Sequence, residues 1–206
     1  SWQSGDAPVA TQVIPLGNFY TTELGGTNGL TGKYYNSSPY VDVLTFTAEQ
    51  ITALNYMHQR TDAQINFNWD TAGPGVIDPP NLWTDGSRTV QSPYPYDNYF
   101  YLFYTVEWRG WWRSMFTEVY TFRMLVTDGV RLWIGDELVI DAWTHGLKSA
   151  VGTKYIVGGR YYPIRIQYND SNTHSIIQFY TSTPLTPEIL VPASELFLSY
   201  PLSGNG

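Results

Sequence analysis

Cysteine is absent from the 206 residues of this sequence. Its absence excludes disulfide bonds, zinc sites with thiolate ligands and thiol nucleophiles. Positive charge is also scarce, since 11 Lys and Arg stand against 18 Asp and Glu, for a net charge of −7. A chain with so little basic surface is a poor partner for the phosphates of nucleic acid or for an anionic membrane.

Long apolar runs and helical patterns are scarce as well. No run approaches the ~18 apolar residues of a membrane helix, which predicts no membrane insertion. The first ten residues lack the basic-then-apolar pattern of a signal peptide. The best helix candidate is 46–59, where Thr47 and Gln50 fit a capping box and predict one short helix over 47–58.

Period-two alternation of apolar and polar residues dominates from residue 99 onward. Gly135-Asp136 and Gly158-Gly159 each separate two alternating runs and predict β-hairpins. Many short strands with almost no helix predict an all-β protein, either an antiparallel sandwich or a barrel. Six side chains on apolar strand faces should be buried: Phe122, Leu132, Ile134, Ile164, Ile166 and Phe179.

Six blocks of the sequence occur in an order that resembles a known family. They are GLTGKYYN (29–36), INFNWDTAGP (65–74), VEWRGWW (106–112), YTFRMLVTDGVRLWIGDELVIDAW (120–143), GGRYYPIRIQYND (158–170) and VPASELF (191–197). Together they are similar to a domain of the protective-antigen fourteen-kilodalton family (PA14). This resemblance implies an antiparallel β-sandwich of jelly-roll type over 29–197, with an N-terminal extension at 1–28 and a C-terminal tail at 198–206.

The resemblance also implies an extracellular module. Sugar-binding members of the family carry a Ser-Asp-Asp-Gly corner, whose two Asp residues hold the calcium ion that binds sugar hydroxyls. Here the corner is Val126-Thr127-Asp128-Gly129. Asp128 is therefore the expected metal ligand, and Thr127 supplies at most a neutral hydroxyl. Because calcium affinity increases with the number of carboxylate ligands, we expect weak calcium binding or none, and a trans 127–128 bond if no cation binds.

Further candidate ligands lie in the loop 169–174. Asn169, Asp170 and Asn172 offer oxygen atoms there, and Trp143 at a strand end offers a ring on which a sugar can stack. The alternative interpretation is an ordinary solvated loop together with an Asp-Gly turn, because turns favour these residue types.

Catalysis is not expected from this sequence. Asp136, Glu137 and Asp141 form an acidic trio, but the first two occupy a hairpin turn and its edge, where charge is normal. The three histidines, at 58, 145 and 174, lack the spacing of a zinc site. An association with a glycoside hydrolase in a longer protein is compatible with the sequence.

The composition and the resemblance together favour a non-catalytic extracellular carbohydrate-binding or adhesion module at the cell surface. Its partners would be a carbohydrate or cell-surface glycan, and other domains or copies of the same protein. The alternative is a structural or assembly module of a surface appendage, a fibre or a larger secreted protein. If the corner is the functional site, the substitution Thr127→Asp should strengthen calcium binding at least tenfold, about 1.4 kcal/mol.

Overall fold

The computed structural model describes residues 27–36, 45–53, 55–70, 104–170 and 175–201. The predicted extension at 1–28 lies almost entirely outside these ranges, and so does most of the predicted tail. The division of the chain into an extension, a domain and a tail therefore stays a prediction.

The described residues form twelve strands and two short 3-10 helices, at Gln50–Ala53 and Ala193–Glu195. The strands are β1 (Leu30–Asn36), β2 (Asn55–Asp62), β3 (Asn66–Asp70), β4 (Tyr104–Arg113), β5 (Glu118–Val126), β6 (Val130–Ile134), β7 (Glu137–Ala142), β8 (Lys148–Ile156), β9 (Tyr161–Asp170), β10 (Ser175–Ser182), β11 (Ile189–Leu190) and β12 (Leu196–Phe197).

These strands build two antiparallel sheets. The larger, seven-stranded sheet has the order β2-β1-β4-β9-β6-β7. Strand β12 pairs with β4 past the Thr31↔Arg109 pair, where the pairing of β1 with β4 begins. The smaller, five-stranded sheet has the order β11-β10-β5-β8, with β3 paired to β10. Consecutive strands often lie in different sheets, as in a sandwich with crossing connections.

The core lies between the two sheets. All six side chains predicted to be buried are at most 2% exposed. Alternation is visible in β5, where Tyr120, Phe122, Met124 and Val126 are buried while the residues between them are more exposed. The predicted all-β antiparallel sandwich is confirmed.

One of the two predicted hairpins is present. Gly135, at φ 66°, makes the turn between β6 and β7, which pair with each other. The prediction for Gly158-Gly159 was wrong, because β8 belongs to the smaller sheet and β9 to the larger one. Gly158 is needed there for another reason: a Cβ atom would lie 2.8 Å from the backbone of Phe116, on the neighbouring turn.

The predicted helix over 47–58 is present only as a 3-10 helix at Gln50–Ala53. The capping box is formed, since the Thr47 amide donates to Gln50 Oε1 at 2.8 Å and the Gln50 amide donates to Thr47 Oγ1 at 3.4 Å. From Asn55 onward the chain is strand β2, paired along the length of β1. Pairing with the edge of β1 thus outweighs the local helical pattern.

The segment 45–53 covers part of the outer face of the larger sheet. Its Ala48 carbonyl accepts hydrogen bonds from Arg165 Nη2 at 2.9 Å and from Gln167 Nε2 at 2.8 Å. Ile51 is fully buried against Trp143, in a small apolar cluster that is separate from the main core. The sheet is therefore packed on both faces at this end.

Gly152 allows the two sheets to meet at one edge. A Cβ atom at this position of β8 would lie 2.1 Å from the carbonyl oxygen of Val139 on β7. The Lys154 ammonium and the Glu137 carboxylate form an ion pair across the same edge. Contact this close between two backbones leaves no room for any side chain.

Substituting Gly152 by Ala should destabilise the protein by about 1–3 kcal/mol, because the backbone of β7 must move to accept the methyl group. Urea denaturation measures this loss. Thr153→Ala, at the neighbouring exposed position of β8, is the matched control and should change stability by less than about 0.5 kcal/mol. Equal stability of Gly152→Ala and the unmodified protein would contradict the close contact between β8 and β7 at this position.

Candidate functional site

The corner of Thr127, Asp128 and Gly129 joins β5 of the smaller sheet to β6 of the larger one. Thr127 is 7% exposed and Asp128 is fully buried. The corner is tied to both sheets, because the Thr127 amide donates to the Ile176 carbonyl and the Asn169 amide donates to the Gly129 carbonyl. The corner is therefore a buried turn.

Thr127 takes part in a chain of hydrogen bonds that runs from the smaller sheet to the larger. The Ile176 amide donates to Thr127 Oγ1 at 3.1 Å, and this hydroxyl lies 2.9 Å from the Tyr168 hydroxyl. Tyr168 in turn donates to Asp170 Oδ1 at 3.2 Å. The Thr127 hydroxyl is thus engaged inside the protein and is not presented to a ligand.

Asp128 is held by the loop that follows β7. Its Oδ1 accepts the Gly146 amide at 3.1 Å and lies 3.3 Å from His145 Nδ1. Lys148 Nζ donates to the Asp128 main-chain carbonyl at 2.9 Å and also to the Thr144 carbonyl. Burial lowers the pKa of the Lys148 ammonium, and the nearby Asp128 charge offsets part of this decrease.

Asp170 lies beside Asp128 and supplies a second carboxylate. Val130 pairs with Tyr168, so extending this register by two residues places Asp128 opposite Asp170. Asp170 is fully buried, and Ser175 Oγ donates to its Oδ2 at 2.8 Å. Burial raises the pKa of Asp170 to about 8, and the negative charge of Asp128 adds to the increase. Asp170 is therefore mostly protonated at neutral pH, and a bound cation would favour its ionised form.

The other predicted ligands do not all converge on this pair. Asn169 is buried, but strand alternation places its side chain on the opposite face of β9 from Tyr168 and Asp170. Its Oδ1 has no hydrogen-bond partner among the described residues. Asn172 lies outside the described ranges.

Trp143 does not offer an open ring. It is 8% exposed, it packs with Ile51, and the Arg131 guanidinium lies 4.5 Å from its ring centroid. The segment 45–53, which supplies Ile51, is the reason for this burial. A stacking role for Trp143 therefore requires that this segment move.

The sequence did not indicate Tyr168 or Lys148 as parts of the corner. Tyr168 shares the apolar face of Ile164 and Ile166, so the alternation of β9 assigns it to the core. Its position two residues before Asp170, on the same strand face, was the available sign of a contact. Lys148 carried no such sign, because its contact with Asp128 depends on the path of the loop after β7.

The carboxylates of the acidic trio lie in ion pairs or in an exposed turn. Glu137 forms its ion pair with Lys154, and Asp141 Oδ1 lies 3.2 Å from Arg131 Nε. Asp136 is exposed in the turn between β6 and β7. Within the described ranges, no three or more His, Asp or Glu side chains are grouped to hold a metal ion.

The corner nevertheless fits a calcium ion in part. Two adjacent buried carboxyl groups match the preference of calcium for oxygen ligands, and a cation there would offset the burial that raises the pKa of Asp170. Asp128 and Asp170 would hold the ion. The remaining positions of a shell of six to eight oxygens would be filled by backbone carbonyls or water.

A family model described as the PA14 domain matches residues 84–193 of this chain. The chain belongs to the PA14 domain family. The match includes the corner, both of its flanking strands and all of β9 and β10. The resemblance drawn from the six sequence blocks is thereby confirmed.

Two relatives, one described as an anti-sigma factor and one as an anti-sigma factor domain-containing protein, match most of this PA14 chain. Anti-sigma-I factor RsgI3 of Acetivibrio thermocellus is 28% identical over 193 residues, which are 90% of this chain and 24% of that protein. The structure of an anti-sigma factor domain-containing protein from Clostridium clariflavum is 25% identical with a TM-score of 0.61, over 87% of this chain and 50% of that one. The chain thus spans at most half the length of either relative.

A third similar structure is described as a PA14 sugar-binding domain from an RTX adhesin. It is 16% identical with a TM-score of 0.60, and the match covers 84% of this chain and 99% of that one. At this identity the likeness shows a shared fold alone.

No helix in the described ranges has the length and apolarity to cross a membrane.

The raised pKa of Asp170 predicts a pH dependence of stability. The native state holds this proton more tightly than the unfolded chain, so the stabilisation is complete below the ordinary pKa of Asp and is lost as pH rises toward about 8. With a chelator present, the free energy of unfolding should decrease over this window by up to about 1.4 kcal/mol per pH unit. Urea denaturation from pH 5 to pH 8 measures the slope.

The variant Asp170→Asn should flatten this slope, because the amide stays neutral at every pH. Asp141→Asn, at an exposed position of β7, is the matched control and should keep the slope of the unmodified protein. An identical slope in Asp170→Asn and the unmodified protein would show that Asp170 does not titrate in this window.

Proposed function

We propose that this chain is a non-catalytic, extracellular carbohydrate-binding module that binds its ligand at the corner with the help of a calcium ion. The adjacency of the buried carboxylates of Asp128 and Asp170 is the observation that carries this proposal. The fold shared with a PA14 sugar-binding domain of an RTX adhesin supports it. The proposal includes an adhesion role at a cell surface, which the same comparison supports.

The role of the protein side chains follows from their positions. Asp128 and Asp170 hold the cation, and the Gly146 amide fixes the orientation of the Asp128 carboxylate. Tyr168 and Ser175 fix Asp170 by donating to its two oxygens. A bound calcium ion supplies positive charge and open coordination positions for sugar hydroxyls.

A glycan array probed with and without calcium tests this function. We expect binding to one or more cell-surface or polymer glycans in millimolar calcium and loss of that binding in EDTA. Asp128→Asn should reduce the binding at least tenfold, because it removes one of two carboxylates. Asp141→Asn, exposed on β7, is the matched control and should bind normally. Calcium-independent glycan binding, or equal binding by Asp128→Asn, would reject a calcium-assisted corner.

Thr127→Asp provides a second test. In a chelator this substitution should lower the melting temperature, because a carboxylate replaces a buried hydroxyl beside Asp128 and Asp170. In calcium it should bind the ion at least tenfold more tightly than the unmodified protein, through the added negative charge. Isothermal titration and thermal denaturation measure the two effects.

Thr127→Asn is the matched control for Thr127→Asp, since it has a similar shape and no charge. It should show the loss of stability without the gain in affinity for calcium. Calcium affinity in Thr127→Asp no higher than in Thr127→Asn would indicate that position 127 does not face the ion.

A structural or regulatory module of a larger protein is the second candidate function. Matches to two anti-sigma factors over most of the chain favour a place in such a protein. Exposed apolar side chains on the outer face of the smaller sheet, at Val119, Val151 and Tyr155, favour contact with another domain or another copy. If no glycan binds in calcium, this candidate takes first place.

A further inference from the structure

The outer face of the larger sheet contains a groove at the end remote from the corner. Its volume is about 670 Å³. We call it the outer groove and define it by six of its lining residues: Thr31, Arg109, Trp111, Trp133, Asp136 and Arg165. The described part of the segment 45–53 packs on the other half of this face and does not line the groove.

The outer groove is separate from the corner. Asp128 precedes β6 and Asp136 follows it, so the two sites lie at opposite ends of a strand of five residues, roughly 17 Å long. On β9, Arg165 lies near the start of the strand and Asp170 at its end. A ligand in the groove therefore does not depend on calcium at the corner.

The ring of Trp133 is held in place before any ligand arrives. The Arg165 guanidinium lies 4.6 Å from its ring centroid. Arg165 is itself fixed, because its Nε donates to Glu107 Oε2 at 2.8 Å and its Nη2 donates to the Ala48 carbonyl at 2.9 Å. A wall that is already rigid loses little conformational entropy on binding.

Trp111 forms the other aromatic wall. It is partly exposed, and Tyr200 packs edge-on against it with ring centroids 5.0 Å apart. Gly110 permits the close approach of β12 that frames this wall, since a Cβ atom there would lie 2.5 Å from the Phe197 carbonyl. Two indole side chains thus line one groove from different strands.

The spacing of the two tryptophans exceeds one sugar ring. Trp111 pairs with Pro163 on β9, and Trp133 pairs with Arg165 on the other side of the same strand. The two tryptophans are separated by two strand spacings across the sheet and by two residues along β9. Their Cα atoms therefore lie roughly 12 Å apart. A ligand of two or more rings is long enough to contact both.

The polar groups in the groove are of both signs. The side chain of Arg109 is 55% exposed and can donate hydrogen bonds. Its Nε already donates to the Glu107 carboxylate. Asp136 is an exposed acceptor at the opposite wall. Sugar hydroxyls both donate and accept hydrogen bonds, so they match this arrangement. Glu107 pairs with both Arg109 and Arg165, so with Asp136 the groove has no excess of positive charge to favour an acidic sugar.

We propose that the outer groove is a second carbohydrate site, which binds a neutral oligosaccharide of two or more rings against Trp111 and Trp133. Arg109 donates to ring hydroxyls and Asp136 accepts from them. The site is independent of the corner and of calcium. A chain with two sites at opposite ends contacts a polysaccharide at two points, which increases its avidity.

Isothermal titration of the whole chain in EDTA tests this proposal. EDTA removes calcium and so prevents any calcium-dependent binding at the corner. The probes are tetrasaccharides of β-1,4-linked glucose, xylose and mannose, with tetragalacturonate as the acidic comparison. We expect one or more neutral tetrasaccharides to bind in EDTA, and binding at least tenfold weaker in Trp111→Ala and in Trp133→Ala. Asp136→Ala, in an exposed turn, provides a variant that leaves the packing intact and should also bind at least fivefold more weakly.

Tyr155→Ala is the matched control, because it removes an exposed aromatic ring from the smaller sheet, outside the groove. It should bind as the unmodified protein does. The proposal is overturned if no neutral tetrasaccharide binds in EDTA, if only tetragalacturonate binds, or if folded Trp111→Ala and Asp136→Ala bind normally. Binding that requires calcium would support the corner and count against the groove.

Discussion

The pairing of β4 with β9 is the constraint on which the rest of the structure depends. It runs without interruption from Tyr104↔Asp170 to Arg113↔Tyr161 at the centre of the larger sheet. Because side chains alternate along a strand, β9 sends Ile166 into the core and Arg165 to the outer face. Its end places Asp170 beside the corner. One strand thus fixes the core and both candidate sites.

Much of the fold could be predicted from the sequence, because the alternation of apolar and polar residues along a strand indicates which face of the strand is buried. Phe122 and Ile166 could be assigned to the core from that pattern alone. Asp128 could be found because the family resemblance aligned the corner on Gly129. The capping box at Thr47 could be found because it depends on residues only three positions apart.

The remaining features depend on contacts between distant parts of the chain, which local patterns do not record. Gly158-Gly159 has the composition of a hairpin turn, but the strands on either side belong to different sheets. Trp143 is buried because the segment containing Ile51 packs over it. Asp170 becomes a partner of Asp128 only when β9 pairs with β6. In each case tertiary pairing, and not local propensity, determines the environment of the residue.

Strand β12 lies beside the segment through which the chain enters the described domain. Asn28 bridges Phe197, and the Leu198 amide donates to the Thr27 carbonyl, so the entering and leaving segments lie side by side. Both lie next to Trp111, at the end of the sheet opposite Asp170. The chain therefore enters and leaves the described domain at the same end of the sheet. The corner lies at the opposite end of the sheet, whereas the outer groove, which Leu198 lines, lies beside the entry and exit of the chain.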